Sequence, residues 1–520
     1  ILKKGGSAID ATIAVQMVLT LVEPQSSGIG GGNFLLHWDN SQQMLATFDG
    51  RETAPSAANS ELFFDQKTGK PLKWIDAVVG GRSVGVPGVL ASLEKAHLKY
   101  GKLPWATLFE PAIKLAQEGF VVSARLEKLL GMNFNPGIRS LPEINHYFFP
   151  NGESVKAGDI LVNKKLAKVF GSIAKEGSEV FYKGWIAKKI IEKIKHAKQN
   201  PGLLSLQDLA NYQAKERPAV CGAYHEYNVC GMSTPSSGGI AVIQILGQLE
   251  KFNLNQYAPN SLEAIHLFSQ SSRLAFADRN RYVADSDFVS VPVKGLIDST
   301  YLSQRAALIA LNKDMGKAVA GNPQGALPQT DDSAIERAST SHISIIDKNG
   351  NAVSMTTSIE NGFGSALMVE GFILNNQLTD FSLSPEKNGL LVANRVQANK
   401  RPRSSMAPTM VFNKDGSLKL ILGSPGGSRI VNYVAQRIIG ILDWQLDPQA
   451  AANLANVTNR NKVTTIESSS NLESLKNELE KMGHTVVVKD LNSGLQIIEI
   501  NKTGLVGGTD PRREGLVLAL

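Results

Sequence analysis

Three consecutive hydroxyl residues, Ser339, Thr340 and Ser341, stand where a predicted strand begins in "ERASTSHISIID". A threonine at the amino terminus of a chain carries its own base, because an α-amine has a pKa of about 7.7–8.0 and can accept the hydroxyl proton. Attack of the threonine on the carbonyl of the preceding residue, followed by cleavage, would create that amine. A serine–threonine cluster is also typical of a turn that starts a strand. These residues alone leave both interpretations open.

A predicted hairpin brings a further hydroxyl close to Thr340. The segment "TSHISIID" alternates as a strand, "KNGN" contains the pair Asn349-Gly350 that favours a type I′ turn, and "AVSMTTSIE" returns. A turn centred on that pair places Thr340 opposite Ile359, so that Ser358 and Glu360 become its diagonal neighbours. The sequence therefore predicts a second hydroxyl and a carboxyl beside the candidate nucleophile.

The predicted secondary structure changes from mostly helix to mostly strand just before this hairpin. Residues 1 to about 325 carry mostly helical periodicity, whereas short alternating strands dominate after Thr340. Between them, residues 316–339 are small, polar and rich in Gly and Pro, which indicates an exposed, flexible linker. Cleavage at its end would give a large subunit of residues 1–339 and a small one of residues 340–520, folded together as one unit.

Several helices and one glycine-rich loop are recognisable before the linker. Ser7 is a candidate N-cap for a helix that Pro24 would end, and amphipathic patterns predict helices over 103–120 and 261–285. The loop "SGIGGGN" leads into the strand "FLLHW" rather than into a helix, so it does not fit a dinucleotide-binding fingerprint.

Composition excludes several classes of function. The 520 residues carry a net charge of +7, but the basic residues form no concentrated run, which argues against nucleic-acid binding. No apolar run reaches the ~18 residues of a membrane-spanning helix. The two cysteines, Cys221 and Cys230, flank a predicted hairpin centred on His225-Glu226, where they form either a cross-strand disulfide or two small buried side chains. Their spacing predicts no metal site.

Nine motifs, in order along the whole chain, resemble the γ-glutamyltranspeptidase family of N-terminal-nucleophile hydrolases. They are "KKGGSAIDATIA", "VEPQSSGIGGGNFLL", "DGRETAP", "PSSGG", "TSHISIIDKNGNAVSMTTS", "FILNNQLTDFS", "KRPRSSMAPT", "GSPGGSRI" and "DPRREG". The resemblance implies a four-layer αββα sandwich with two central antiparallel sheets. It also implies cleavage between Ser339 and Thr340, and transfer of a γ-glutamyl group from glutathione or a similar compound to water, an amino acid or a peptide, without a cofactor.

The resemblance assigns catalytic roles to four positions of this sequence. Thr340 matches the nucleophile, and Ser358 stands where the family has a second hydroxyl that orients it. Gly426 and Gly427 of "GSPGGSRI" match the oxyanion-hole glycines, whose N–H groups would face a developing negative charge. His342 would share a face with Thr340, and we interpret it as structural because the α-amine already supplies the base.

Six further positions match the family's binding site for an amino-acid head group. They are Arg51, Ser404 and Ser405 for the α-carboxylate, Asp380 for the α-ammonium, Gln377 as a further contact of the same head group, and Glu360 at the position beside the α-amino group. An arginine offers two parallel hydrogen bonds to a carboxylate, and a carboxylate accepts from an ammonium, so the set forms a clamp for a zwitterion. Glu360 departs from the asparagine that the family often has there.

The resemblance leaves two alternatives open. The segment 382–402 is shorter than the lid of typical bacterial members, and "DGRETAP" with "SIENGFGS" is similar to a subfamily with cephalosporin acylase-like members. Such an acylase would cleave glutaryl or related amides, although retention of Asp380 favours a glutamyl group. The non-enzymatic alternative is an uncleaved binding protein. Exported members predominate in the family, which implies a periplasmic or secreted location.

Overall fold

Two antiparallel sheets lie at the centre of the computed structural model, which describes residues 1–334, 336–337 and 339–519. Their strands, numbered along the chain, are β1 (Gly32–Asp39), β2 (Met44–Gly50), β3 (Lys215–Glu216), β4 (Val220–Tyr224), β5 (Tyr227–Gly231), β6 (Ser341–Ile346), β7 (Ala352–Ser358), β8 (Thr409–Phe412), β9 (Leu418–Gly423), β10 (Gln496–Asn501) and β11 (Gly504–Thr509). The first sheet has the order β3-β2-β1-β7-β6, and the second has the order β11-β10-β9-β8-β5-β4.

The two sheets pack face to face. Side chains alternate across β1, so that Phe34 and Leu36 enter the core shared with the second sheet, whereas Leu35 enters the core on the opposite face. A hydrogen bond also joins the sheets directly, because the Ser354 hydroxyl donates to the Leu422 carbonyl at 3.1 Å. Strand β6 also packs against β9 and β10 of the second sheet, and Thr340, immediately before β6, is buried.

Helices cover the outer faces of both sheets. The longer ones are α1 (Ala8–Val22), α2 (Val89–Tyr100), α3 (Glu110–Glu118), α4 (Lys164–Glu176), α5 (Trp185–Lys195), α6 (Gly238–Leu249), α7 (Leu262–Tyr282) and α8 (Ile430–Leu442). Helices α1 and α2 pack on the first sheet, α6 and α8 pack on the second, and α7 lies against α6. The predicted four-layer αββα sandwich is confirmed.

Shorter elements complete the described part of the chain. The short helices are Trp74–Val78, Ala124–Gly131, Gly137–Ser140, Pro142–Phe148, Glu179–Tyr182, Leu206–Ala210, Val293–Leu296, Ser299–Ala306, Pro448–Asn453 and Lys476–Lys481. The 3-10 turns are Leu2–Lys4, Gly81–Ser83, Trp105–Leu108, Pro150–Gly152, Leu254–Gln256, Gln377–Asp380, Gly427–Arg429 and Asn471–Leu475. The peripheral strands are Phe120–Val121, Ile160–Leu161, Met368–Val369, Phe372–Ile373, Glu386–Lys387, Leu390–Leu391, Val457–Asn459, Thr464–Glu467 and Val486–Lys489.

The predicted helix starts agree with the structure. Ser7 caps α1 in a capping box, since its hydroxyl accepts from the Asp10 N–H at 3.2 Å and the Asp10 carboxylate accepts from the Ser7 N–H at 2.9 Å. The pattern over 261–285 corresponds to α7, which Ser261 caps. The pattern over 103–120 is divided between a 3-10 turn and α3.

The hairpin that carries Thr340 exists, but its predicted turn and register are wrong. Of Asn349 and Gly350, only the glycine has a positive φ, of 80°, whereas a type I′ turn needs two such residues. The connection spans the five residues between the ends of β6 and β7, and Ser341 pairs with Thr357. The register is therefore shifted by one residue, and its continuation places Thr340 opposite Ser358 rather than opposite Ile359.

The prediction for the linker is partly wrong, whereas the predicted pairing in the cysteine hairpin is confirmed. The described residues of 316–339 contain no helix or strand, but Asp332, Glu336 and Ser339 are buried, so the predicted exposure is wrong for the end of the linker. Its residues 335 and 338 lie outside the described residues. Cys221 pairs with Cys230 across β4 and β5, as the register predicted, and the two form a disulfide.

Two further features of the described residues concern membranes and metals. None of their helices combines the length and the hydropathy that a bilayer crossing requires. They also contain no group of three or more His, Cys, Asp or Glu side chains placed to hold a metal ion.

Candidate active site

Thr340 occupies a strained position immediately before β6. Its φ of 99° lies in a region that β-branched residues avoid, and such a conformation costs on the order of 1–3 kcal/mol. Its hydroxyl donates to the Ser358 hydroxyl at 3.1 Å, which the corrected register explains because the two residues are opposite each other. Ser358 in turn accepts from the Glu360 N–H at 2.9 Å. The nucleophilic oxygen is thus oriented by a neighbour that is itself fixed.

The carbonyl before Thr340 already faces an amide donor. The Gly426 N–H donates to the Ser339 carbonyl oxygen at 3.3 Å, and the Ser339 hydroxyl donates to the Gln25 carbonyl at 2.9 Å. On the other side, Arg513 donates to the Thr340 carbonyl at 2.9 Å. The peptide bond between Ser339 and Thr340 is therefore held from both sides, with a donor at the oxygen on which negative charge would develop.

The two predicted oxyanion-hole glycines have backbones that other residues would not tolerate. Gly426 has a φ of 142°, and a Cβ there would lie 2.6 Å from the Tyr433 ring. Gly427 has a φ of 59°, and a Cβ there would lie 2.2 Å from the Arg337 carbonyl oxygen. The loop between β9 and α8 can approach the linker this closely only because both residues lack a side chain.

Arg51 and Asp380 form a buried ion pair beside the nucleophile. Arg51 donates to the Asp380 carboxylate at 2.6 Å and to the Pro402 carbonyl at 3.0 Å. Gln377 and Asp380 lie three residues apart on one 3-10 turn, a spacing that aligns their side chains, and Gln377 donates to Asp380 at 2.8 Å. One carboxylate oxygen of Asp380 and the side-chain amide oxygen of Gln377 have no donor among the described residues. These oxygens are available to accept from an ammonium.

Glu360 adds a second carboxyl to this region. It has a positive φ of 75°, and its carboxyl accepts from the Asn376 side chain at 2.9 Å. Burial, together with the charge of Asp380, raises the pKa of Glu360 well above its usual range, and burial also raises the pKa of Asp380. Two neighbouring buried carboxyls cannot both ionise easily, so burial and the charge of Asp380 favour the protonated form of Glu360.

Ser404 forms an isolated parallel β-bridge with Ser236, and Ser405 follows it. Ser404 is engaged by the backbone, since its hydroxyl accepts from the Met406 N–H at 3.1 Å and its carbonyl accepts from the Ser237 N–H at 2.8 Å. The Ser405 hydroxyl instead donates to the Glu336 carboxylate at 2.5 Å. Of the two serines, Ser405 is the one that already holds a carboxylate.

These side chains surround one small cavity of about 20 Å³, which has room for roughly one water molecule. Its lining includes nine of the ten residues predicted for catalysis and substrate binding: Arg51, Thr340, Ser358, Glu360, Gln377, Asp380, Ser404, Ser405 and Gly427. Gly426 reaches the same place through its hydrogen bond to Ser339. The sequence prediction therefore selected residues that the fold brings together from distant parts of the chain.

Sequence reasoning missed four charged residues of this region: Glu336, Arg337, Arg279 and Arg513. Glu336 and Arg337 line the cavity. Arg279 contacts Glu336, and Arg513 contacts the Thr340 carbonyl. The acidic side chain just before the candidate cleavage bond was a visible signal, but the interpretation of its segment as an exposed linker concealed it. His342 is absent from the cavity lining, and it bonds Thr356 and Ser344, while burial lowers its pKa to about 3. That environment fits its structural interpretation.

The chain is similar to known proteins along its whole length. The family described as Gamma-glutamyltranspeptidase matches residues 1–520. The glutathione hydrolase proenzyme of Bacillus subtilis is 36% identical, over all of this chain and 89% of that protein. The Acylase ACY 1 proenzyme of Pseudomonas sp. is 32% identical, over all of this chain and 90% of that protein. The crystal structure of cephalosporin acylase from Bacillus halodurans superposes with a TM-score of 0.88 at 27% identity, covering all of this chain and 92% of that one.

Proposed function

The chain belongs to the γ-glutamyltranspeptidase family, and from this premise we propose that Thr340 cuts its own chain and then serves as the nucleophile of a γ-glutamyltransferase and glutathione hydrolase. The observation that carries the proposal is the arrangement around one peptide bond. The Thr340 hydroxyl bonds Ser358 at 3.1 Å, and the carbonyl that it would attack accepts from the Gly426 N–H at 3.3 Å.

Self-cleavage follows from this arrangement in two balanced steps. The Thr340 oxygen attacks the Ser339 carbonyl carbon, the carbon–nitrogen bond breaks, and the hydroxyl proton ends on the departing nitrogen, which leaves an ester. Water then hydrolyses the ester to a Ser339 carboxylate and a free threonine with an α-amine. The strain at Thr340 favours the reaction, because cleavage releases its φ of 99°.

The catalytic cycle reuses the same groups. The α-amine of Thr340 takes the hydroxyl proton, and the oxygen attacks the γ-amide carbonyl of the donor to form a γ-glutamyl ester. The N–H groups of Gly426 and Gly427 stabilise the developing oxyanion, and the amine of the donor leaves with the proton. Water, an amino acid or a peptide then attacks the ester and releases glutamate or a new γ-glutamyl product. No step needs a cofactor.

The charges around the cavity favour a glutamyl group. Arg51 with Ser404 and Ser405 would hold the α-carboxylate, and Asp380 with Gln377 and Glu360 would hold the α-ammonium. The unbonded oxygens of Asp380 and Gln377 support this assignment, because an ammonium would supply the missing donors. A glutaryl group has no ammonium and would leave them unpaired. Glutaryl acylase activity is the second candidate, supported by the likeness to a cephalosporin acylase.

Intact mass and amino-terminal sequencing of the purified protein test the proposal directly. We expect two fragments, one of which begins "TSHIS", and a single uncut chain for the Thr340→Ala variant. The cut protein should hydrolyse γ-glutamyl-p-nitroanilide at least about tenfold more efficiently than glutaryl-p-nitroanilide. A folded wild-type chain that stays uncut would contradict the mechanism, and the reverse preference between the donors would favour the acylase.

An exported location is part of the same proposal. The Cys221–Cys230 disulfide supports it, because disulfides persist mainly in oxidising compartments such as the periplasm or the extracellular space. Fractionation of producing cells, with an assay for γ-glutamyl-p-nitroanilide hydrolysis in each fraction, tests the location.

A further inference from the structure

A carboxylate of the chain itself occupies the candidate site. Glu336, four residues before Thr340, is buried and lines the cavity together with Asp380 and Ser405. Its carboxylate accepts from the Ser405 hydroxyl at 2.5 Å and forms an ion pair with Arg279, while Arg403 lies 3.6 Å away. These cations hold the pKa of Glu336 low, at about 2, so the group is ionised at neutral pH.

Arg279 depends on this carboxylate for its charge balance. Its other partners are neutral: the Ser237 hydroxyl at 2.9 Å, the Asn280 side-chain oxygen at 2.9 Å and the Ser405 hydroxyl at 2.6 Å. In the described part of the chain, Glu336 is the acidic residue that pairs with it, whereas Arg403 also has Asp332 at 2.7 Å. A buried cation that loses its anion is strongly destabilised, so departure of Glu336 would leave a site that requires another anion.

We propose that Glu336 is an internal ligand in a carboxylate site formed by Arg279 and Ser405, and that the α-carboxylate of the donor takes its place after cleavage. The inference rests on the proposed function, because it needs the bond between Ser339 and Thr340 to be cut. Before the cut, the chain holds Glu336 at this site from both sides. Afterwards one connection is gone, so the effective concentration of Glu336 at the site falls.

Arg279 acts as a positioning residue in this arrangement. Because it donates to the Ser405 oxygen, the proton of that hydroxyl is directed away from Arg279 and toward the carboxylate that the site holds. Ser405 thereby remains a donor to whichever carboxylate is present. The site thus complements Arg51, which stands on the Asp380 side of the same cavity.

A competition experiment on the cut wild-type enzyme tests the internal ligand. The probe is the amino-terminally acetylated peptide SAIERAS, which corresponds to residues 333–339, and its matched control carries Gln in place of the Glu. We expect competitive inhibition of γ-glutamyl-p-nitroanilide hydrolysis, with an inhibition constant at least about tenfold weaker for the Gln peptide. Equal inhibition by both peptides, or none by either, would overturn the proposal, since the two share every other group.

A second experiment tests Arg279 with two donors. One is γ-glutamyl-p-nitroanilide, and the other is 4-aminobutyryl-p-nitroanilide, which keeps the ammonium but lacks the α-carboxylate. For Arg279→Gln we expect KM to rise about tenfold with the first donor and to stay unchanged with the second, while Arg279→Lys should rescue part of the loss. Equal losses with both donors would assign Arg279 a purely structural role and overturn this part of the proposal.

The outcomes separate this inference from the proposed function. If wild-type protein is not cut or does not hydrolyse γ-glutamyl-p-nitroanilide, the proposed function fails first. If it is cut and active but discriminates neither peptide nor donor as described, only the carboxylate site is refuted. Where an Arg279 variant fails to fold, the peptide competition on unaltered enzyme still decides.

Discussion

At the scale of single residues, the hydrogen bond made by the Thr340 hydroxyl distinguishes a candidate nucleophile from a hydroxyl that only caps a strand. Thr340 donates to Ser358, and Ser358 is fixed by the Glu360 N–H. A threonine at position 358 would offer the same hydroxyl oxygen on a stiffer side chain. We infer that the proposed reaction requires only a hydrogen-bond acceptor for the Thr340 hydroxyl at position 358.

Ser358→Ala should slow self-cleavage by about 10- to 100-fold, because the Thr340 hydroxyl loses the hydrogen-bond partner that fixes its orientation. Ser358→Thr is the matched control and should be cut at nearly the wild-type rate. The measurement is the fraction of cut chain, followed by intact mass after purification at low temperature. Equal rates for the alanine variant and the wild type would show that the contact does not contribute to the reaction.

Glu360→Gln should retain kcat/KM for γ-glutamyl-p-nitroanilide within about threefold at pH 7. The raised pKa of Glu360 favours its protonated form, which glutamine resembles. As pH rises, wild-type Glu360 can lose its proton and gain a charge beside Asp380, whereas glutamine cannot. The ratio of KM between variant and wild type should therefore change as pH rises.

The contrast for this prediction is Asp380→Asn. Asp380 is the carboxyl that pairs with Arg51, so its loss should raise KM at every pH, by about 100-fold. A Glu360→Gln variant that behaves like Asp380→Asn at pH 7 would mean that Glu360 is ionised in the working enzyme.

At the scale of elements, the loop between β9 and α8 supplies the backbone N–H group that faces the Ser339 carbonyl, and we propose that this group stabilises the oxyanion. Gly426→Ala combines a disfavoured φ of 142° with a Cβ 2.6 Å from Tyr433, so the amide that faces Ser339 must shift. Loss of one oxyanion donor typically costs about 10²–10³ in rate, and we expect a loss of that size in self-cleavage.

Gly416→Ala is the control for the glycine loop, because Gly416 also has a positive φ, of 85°, but a Cβ there meets nothing within 4 Å. It should be cut at the wild-type rate with only a small loss of stability. Cleavage is followed by intact mass, and circular dichroism confirms folding of both variants. Normal cleavage of folded Gly426→Ala would remove Gly426 from the oxyanion site.

The same scale explains what sequence could predict. Caps, strand alternation and the cysteine hairpin depend on neighbours along the chain, and they agree with the structure at Ser7 and at Cys221 with Cys230. The predicted turn at Asn349-Gly350 was wrong because the five-residue connection uses only one positive φ and is held by the Asp347 carboxylate, which accepts from the Asn349 and Asn351 N–H groups. The buried end of the linker was missed because its anchors, Arg279 and Arg403, are distant in sequence.

At the scale of the whole molecule, the two proposed subunits are built into one sheet. Strand β1, from the part before Thr340, pairs along its length with β7, from the part after it. The site is divided in the same way, since Arg51 precedes the cleavage bond and Asp380 follows it. A cut at Ser339 would therefore leave the hydrogen-bonded core intact, and the proposed catalytic centre would need both fragments.

Burial of one more carboxyl in this core should make the stability of the molecule depend on pH. Glu52 is fully buried next to Arg51, and neither of its carboxyl oxygens has a hydrogen-bond partner among the described residues. Burial raises its pKa from 4.5 to about 8. The folded state therefore binds a proton that the unfolded state releases between these values, and stability falls as pH rises from about 4.5 to about 8.

Glu52→Gln should remove that loss, because glutamine carries no proton to release. In the uncut Thr340→Ala background, which keeps unfolding a single-chain event, the variant should gain stability relative to its parent between pH 5 and pH 8.5. At about 1.4 kcal/mol per pKa unit, the gain is on the order of 3–5 kcal/mol. Thermal unfolding at both pH values measures it, with the exposed Glu61→Gln as the control. An unchanged difference between the two pH values would mean that Glu52 is ionised in the folded protein and that Arg51, at 3.7 Å, compensates its charge fully.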